Sequence, residues 1–94
     1  IVVDDCSTDN SIQVLKKFKK KIKLIKNKTK NNIAGYDQMQ TYYNGFVRSR
    51  GDIICFLDSD DYYEKNKIQN VLNFFIVFLF PLNITSTVAL YASP

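Results

Sequence analysis

Histidine is absent from the 94 residues, and cysteine, glycine and proline are scarce, at two, three and two residues. Without histidine neither a Ser-His-Asp nor a Cys-His nucleophile can be assembled, which leaves carboxylates, tyrosine hydroxyls and lysine as the reactive groups. Cys6 and Cys55 are too few for a disulfide framework and have no Cys/His spacing suited to zinc, so a reduced, cytoplasmic setting is the expectation. With only Gly35, Gly45 and Gly51, neither a GxGxxG turn nor a Walker A loop can be drawn. A bound nucleotide would therefore have to be held by metal and carboxylates. The chain opens at Ile1 inside an apolar run, without an initiator Met, and reads as a piece of something longer.

What is present suits one small folding unit. Hydrophobic residues make up 46 % and charged residues 23 %, close to ordinary globular usage. A chain of this length buries roughly 60 to 65 % of its unfolded surface, which excludes a two-domain enzyme. Lysine and arginine outnumber the acids by 13 to 9, but nine of the eleven lysines fall between Lys16 and Lys30. No aromatic platform interleaves that block, so it reads as the solvated face of a helix and not as a nucleic-acid surface. Most of the acids collect elsewhere, at Asp4, Asp5 and Asp9 and again from Asp52 to Glu64.

Along the chain, Ile1-Val2-Val3 predicts a strand that enters a polar loop in which Ser7, Thr8 and Asp9 are all good helix caps. Ile12, Leu15, Phe18 and Ile22 then predict a helix from about Asn10 to Lys20. A short apolar run, Ile22 to Ile25, precedes a loop rich in Asn and Lys. Met39, Tyr42, Tyr43, Phe46 and Val47 follow the spacing of an amphipathic helix core, with Gly51 as its expected C-cap. Asp52 to Leu57 reads as a strand buried on both faces of a parallel sheet. A third helix is expected near Asn66. Alternation of this kind implies an α/β fold with a mostly parallel sheet. From Ile68 to Pro94 there is no charge, and Phe74 to Leu82 is apolar throughout. That stretch suits an interfacial or core helix followed by a strand, a membrane span interrupted at Pro81, or a misjoined C-terminus.

Ligands of parallel sheets bind beyond the carboxyl ends of the strands, and both acidic clusters lie there. Asp4-Asp5 follows the first strand and Asp58-Ser59-Asp60-Asp61 the third. Three carboxylates in four residues repel one another unless a cation balances them. Hard oxygen ligands at alternate positions suit Mg2+ or Mn2+ bridging to phosphate. An EF-hand is excluded because the pattern fails at Tyr62 and Tyr63. The competing reading of Asp58 to Asp61 is a solvated turn that caps the next helix.

The run from Ile1 to Ser11, Asn32 to Gly35, Asn44-Gly45-Phe46 and Gly51 to Asp61 resembles, in order and spacing, the donor half of family 2 glycosyltransferases of the GT-A fold. The resemblance covers roughly residues 1–70, which form the expected donor-binding part, with 71–94 an apolar tail. It implies a partial, Rossmann-like α/β/α domain that transfers a sugar from a nucleotide-diphosphate donor, most readily a UDP-sugar, with inversion. It also implies a divalent cation, Mn2+ or Mg2+, steadying the leaving diphosphate. Carried over by position, Asp5 or its neighbour Asp4 would contact the nucleobase, Asp58 the ribose or metal, and Asp60 the metal. Asp61 would join them or cap the following helix. Arg48 and Arg50 suit a surface role at a helix end better than the diphosphate. Tyr36 is a candidate to stack on a base, while Met39, Tyr42 and Tyr43 read as core. Cys6 occupies a loop position where the family often has Gly.

Two departures from the family bear on activity. The family's opening strand, which lies beside the equivalent of Ile1 to Val3 and ends in a Pro-x-Tyr/Phe-Asn loop, is missing, and with it a central strand of the sheet. Nothing after Glu64 offers a carboxylate to deprotonate an acceptor hydroxyl, so no general base is assigned and the chain alone is expected to show no turnover. The reading from a different class is a non-catalytic remnant whose apolar tail associates with a membrane or a partner, at the cytoplasmic face.

Overall fold

A computed structural model describes residues 1–33, 35–78 and 87–93. Seven elements run in the order β1 (Val2–Asp4), α1 (Ser11–Lys16), β2 (Leu24–Lys26), α2 (Tyr36–Phe46), β3 (Ile53–Asp58), α3 (Lys67–Phe78) and β4 (Thr87–Ser93). The strands form one sheet in the order β2-β1-β4-β3, and every pairing is parallel. The α/β expectation is met. The position beside β1 on the side away from β2 is taken by β4, whose Tyr91 stands level with Val2 on one side and Leu57 on the other. The interruption at Pro81 lies outside the described residues. Among those described, no helix is long and apolar enough to cross a membrane.

Three elements depart from the sequence pattern for physical reasons. Helix α1 stops at Lys16, and the chain continues to Lys21 in tighter turns, with Phe18 N–H on the Leu15 carbonyl at 2.9 Å and Lys21 N–H on that of Phe18 at 2.7 Å. Lys16 and Lys20, like Lys17 and Lys21, would stack like charges four residues apart in a longer α-helix, which disfavours it. Helix α2 ends at Phe46 with a right-handed Val47 as C-cap, so Gly51 lies beyond it, before β3, and caps nothing. Strand β3 is an edge of the sheet and not its buried middle: Ile53 is buried, but Phe56 is exposed.

The face that α2 buries also differs from the one its apolar residues mark. Asp37, Thr41 and Gly45, four residues apart, are its buried residues, and the helix packs against β1 and β4. Met39 stays 72 % exposed, and Tyr43, Phe46 and Val47 face outward with it. Hydrogen bonding favours this orientation, because Asp37 is bonded to the Asn31 and Ile33 N–H groups of the preceding loop and Thr41 to Asn27 after β2, and breaking that network in a buried place costs more than leaving apolar side chains exposed. The apolar core is small, consisting among the described residues of Val2, Val3 and Ile53.

Candidate functional site

Parallel pairing brings the ends of β1 and β3 to one edge of the sheet. Asp4 is level with Ser93 of β4, and Asp58 is level with Ala92. One strand separates them, so the two carboxylate sets lie roughly 10 Å apart, two inter-strand spacings. Helix α2 serves both sets. Its residues Asp37, Thr41 and Asn44 turn towards the β1–β2 side, and Gln38 and Tyr42, one position on around the helix, turn towards β3.

On the β1 side the two aspartates part company. Asp4 is buried and closes its own loop, with Oδ2 accepting the Ser7 N–H at 3.3 Å and Oδ1 accepting the Ser7 hydroxyl. Asp5, also buried, lines a cleft of about 390 Å³ between the loop after β2 and helix α2. Its Oδ1 accepts from Asn27 Nδ2 at 2.9 Å, and its Oδ2 lies 3.9 Å from Lys30 Nζ. Tyr36, Asn44 and Arg48 share the lining. Arg48 donates to the Asn44 carbonyl at 2.9 Å, as a cation at a helix C-terminus should, and Arg50 is exposed outside the cleft.

The mouth of the cleft is tied down by Asp37. Its carboxylate accepts the backbone N–H of Asn31 at 3.0 Å and of Ile33 at 3.2 Å, while its own N–H bonds the Ile33 carbonyl. Chiefly the Asn31 N–H holds this carboxyl below the usual range, against the opposing effect of burial. Asn32 takes a left-handed φ of 58°, which Asn tolerates, and Gly35 at φ 79° enters the helix where a side chain would be strained.

On the β3 side the chain turns sharply, with the Asp61 N–H on the Asp58 carbonyl at 3.2 Å. The turn gathers Asp58, Asp60 and Asp61, whose carboxylates each place one oxygen within 4.8 Å of the others. Asp58 is half-buried, and its Oδ1 accepts from Gln38 Nε2 at 3.2 Å and from the Tyr42 hydroxyl. Asp60 and Asp61 are exposed. Tyr42 packs edge-on against Phe56, with ring centroids 5.0 Å apart. Burial, then the bond to Asp58, push its hydroxyl up to about 12. Tyr42 is thus only part of the apolar packing, because its hydroxyl belongs to the acidic cluster. Asp61 does not cap α3, which begins at Lys67.

Sequence reasoning named both carboxylate sets but missed Asn27, Gln38, Thr41 and Lys30. Gln38 and Tyr42 stand at i and i+4 in a predicted helix, a signal that they act together. Asn27 had none, being one polar residue in an Asn-rich loop.

The family model for glycosyl transferase family 2 matches residues 1–77. A poly(ribitol-phosphate) beta-N-acetylglucosaminyltransferase of Staphylococcus aureus is 31 % identical over 74 residues, 79 % of this chain and 13 % of the relative. An uncharacterized glycosyltransferase of Haemophilus influenzae is 34 % identical over 79 residues, 81 % of this chain and 30 % of its own length. A UDP-Glc:alpha-D-GlcNAc-diphosphoundecaprenol beta-1,3-glucosyltransferase of Escherichia coli is 36 % identical over 75 residues, 79 % of this chain and 28 % of its own. The chain thus spans less than a third of the length of these relatives. No solved structure matches it.

Proposed function

The chain belongs to glycosyl transferase family 2, and from that premise we propose that it binds a nucleotide-diphosphate sugar across the carboxyl edge of its sheet, as the donor side of an inverting sugar transfer. Membership carries the GT-A, Rossmann-like fold, of which the four parallel strands are a small part. The observation that carries the proposal is the placement of two carboxylate sets at one sheet edge, one in a polar cleft and one in an open cluster. A nucleoside diphosphate has matching ends. Its base offers N–H donors that suit Asp5 in the cleft beside Tyr36, and its diphosphate needs positive charge where the protein supplies only carboxylates. UDP is the nucleotide we favour, because the E. coli relative is named for a UDP-sugar.

The donor set at the β3 turn fits a hard divalent cation. Asp58 and Asp60, with Asp61 beside them, offer converging oxygens and no nitrogen or sulfur, which suits Mg2+ or Mn2+. When bound, such an ion supplies Lewis-acid stabilisation of charge on a departing diphosphate. The protein's own part is to hold Asp58. Gln38 and Tyr42 brace Asp58 through Oδ1, so the carboxylate that joins the cluster is held by α2. Calorimetry of UDP with and without Mn2+ tests the reading. Mn2+ should tighten UDP binding at least about tenfold, and Asp60→Asn or Asp58→Asn should abolish that gain, each removing a charge-assisted contact. Equal affinity in EDTA, or a gain that survives both substitutions, would overturn it.

A further inference from the structure

Asp5 is held by one neighbour whose every hydrogen-bonding group is in use. Asn27 donates its backbone N–H to the Asp4 carbonyl at 2.9 Å and accepts the Cys6 thiol on its own carbonyl at 3.4 Å. Its side-chain Nδ2 donates to Asp5 Oδ1 at 2.9 Å and to the Thr41 hydroxyl oxygen at 3.0 Å, while its Oδ1 accepts Asn44 Nδ2 at 2.8 Å. The orientation of this amide follows from its partners. Thr41 spends its only hydroxyl proton on the Asp37 carbonyl at 2.8 Å, so towards Asn27 its oxygen can only accept. An ionised Asp5 also only accepts. The group facing both must be the NH2, which leaves the oxygen to Asn44. Thr41 is 1 % exposed, so the anchor sits on the rigid, buried side of α2.

We infer that Asn27 is the positioning residue of the cleft: it holds Oδ1 of Asp5 and locks that carboxylate to α2, so that Oδ2, the oxygen beside Lys30, is the one presented to a ligand. The inference rests on the donor-site reading and goes beyond it, because it assigns Asn27, which lines the same cleft, a role exerted through Asp5. Aspartate at this position would have the same shape but the wrong chemistry. It would set an acceptor against the Asp5 carboxylate and turn a directed hydrogen bond into a like-charge contact.

The test is a double-mutant cycle on the full chain, with UDP as probe and calorimetry in Mn2+ and in EDTA, each variant first checked for a cooperative thermal melt. Asn27→Asp should weaken UDP binding about tenfold in both buffers, the scale of one hydrogen bond to a charged group. In an Asp5→Ala background the same substitution should change UDP affinity by less than about twofold, since nothing remains to be positioned. Should Asn27→Asp fail to melt cooperatively, Asn27→Ala takes its place in the cycle. If the unaltered chain binds UDP and the Asn27 variants bind it equally well, or lose as much without Asp5 as with it, the positioning role is wrong while the donor site stands. If the unaltered chain does not bind UDP, the donor-site reading fails and takes this inference with it.

Discussion

The two carboxylate sets are built in opposite ways. Asp4 and Asp5 are buried at 3 % and 5 % exposure, and their carboxylates are held from the protein side by Ser7 and by Asn27 and Lys30 respectively. Asp60 and Asp61 are exposed, and only Asp58 among the three is braced from outside the turn, by Gln38 and Tyr42. A buried carboxylate is stable only when its partners are in place, so the cleft side has its geometry before any ligand arrives. Exposed carboxylates can leave their final geometry to a cation. The cleft is therefore suited to selection by shape and hydrogen bonding, and the turn to capture of charge.

The largest expected effect comes from removing what joins the two sides. Strands β1 and β3 are not paired with each other; β4 bonds both, with Tyr91 level with Val2 and Leu57. Tyr91→Pro deletes a ladder N–H on whichever side it points and should cost at least about 2 kcal/mol. The comparison predicts one cooperative loss in circular dichroism melts, with the cleft and the turn failing together. Two separate transitions would show that the halves stand independently.

Next in size, neutralising a carboxylate should have opposite signs on the two sides. Asp4→Ala removes the acceptor of the Ser7 N–H and hydroxyl and should destabilise by about 1 to 3 kcal/mol. Asp61→Asn relieves repulsion at the turn and, without metal, should leave stability unchanged or raise it by up to about 0.5 kcal/mol. Chemical denaturation in EDTA measures both. Destabilisation by Asp61→Asn would mean the cluster is held by contacts of its own.

This contrast also explains how far the sequence could be read. The turn was legible because Asp58, Asp60 and Asp61 are contiguous and follow an apolar run, so strand and cluster announce each other. The cleft was legible only at Asp5. Asn27 and Thr41 are 14 residues apart and meet only in the folded chain. The buried side of α2 was misjudged for the same reason: Met39, Tyr43, Phe46 and Val47 carry the apolar pattern, but a polar network at Asp37 and Thr41 sets which face turns inward. Strand β4 was legible as a strand beyond an apolar helix, but its central place depends on pairing with β1 and β3, which no local pattern reports.

Tyr42 gives the comparison a pH readout on the turn side. Its hydroxyl titrates at about 12 in the folded chain, against about 10 for an ordinary tyrosine. The folded state thus holds this proton more tightly than the unfolded one. The contribution to stability is fully present below about pH 10 and is lost as pH rises towards 12. Denaturation across that window should fall more steeply for the unaltered chain than for Tyr42→Phe, and tyrosinate absorbance should show one fewer late-ionising group in the variant. Parallel profiles would detach Tyr42 from Asp58.

The smallest expected effect lies at the start of the loop that carries the cleft side. Cys6 sits at φ 59°, a left-handed conformation that costs a residue with a Cβ roughly 1 kcal/mol and glycine almost nothing. The strain is held in place from both sides. Asp5 precedes Cys6 and is fixed by Asn27, and the Cys6 thiol itself donates to the Asn27 carbonyl at 3.4 Å. That thiol bond is weak, so Cys6→Gly trades a poor donor and some unfolded-chain entropy for an unstrained backbone and should stabilise by up to about 0.5 kcal/mol. The cleft should keep its UDP affinity, because Asp5 is oriented through Asn27 Nδ2 and not through the thiol. A stabilised chain with unchanged binding would locate the strain in the backbone alone. Weakened binding would mean that the loop conformation at Cys6 is itself part of how Asp5 is aimed.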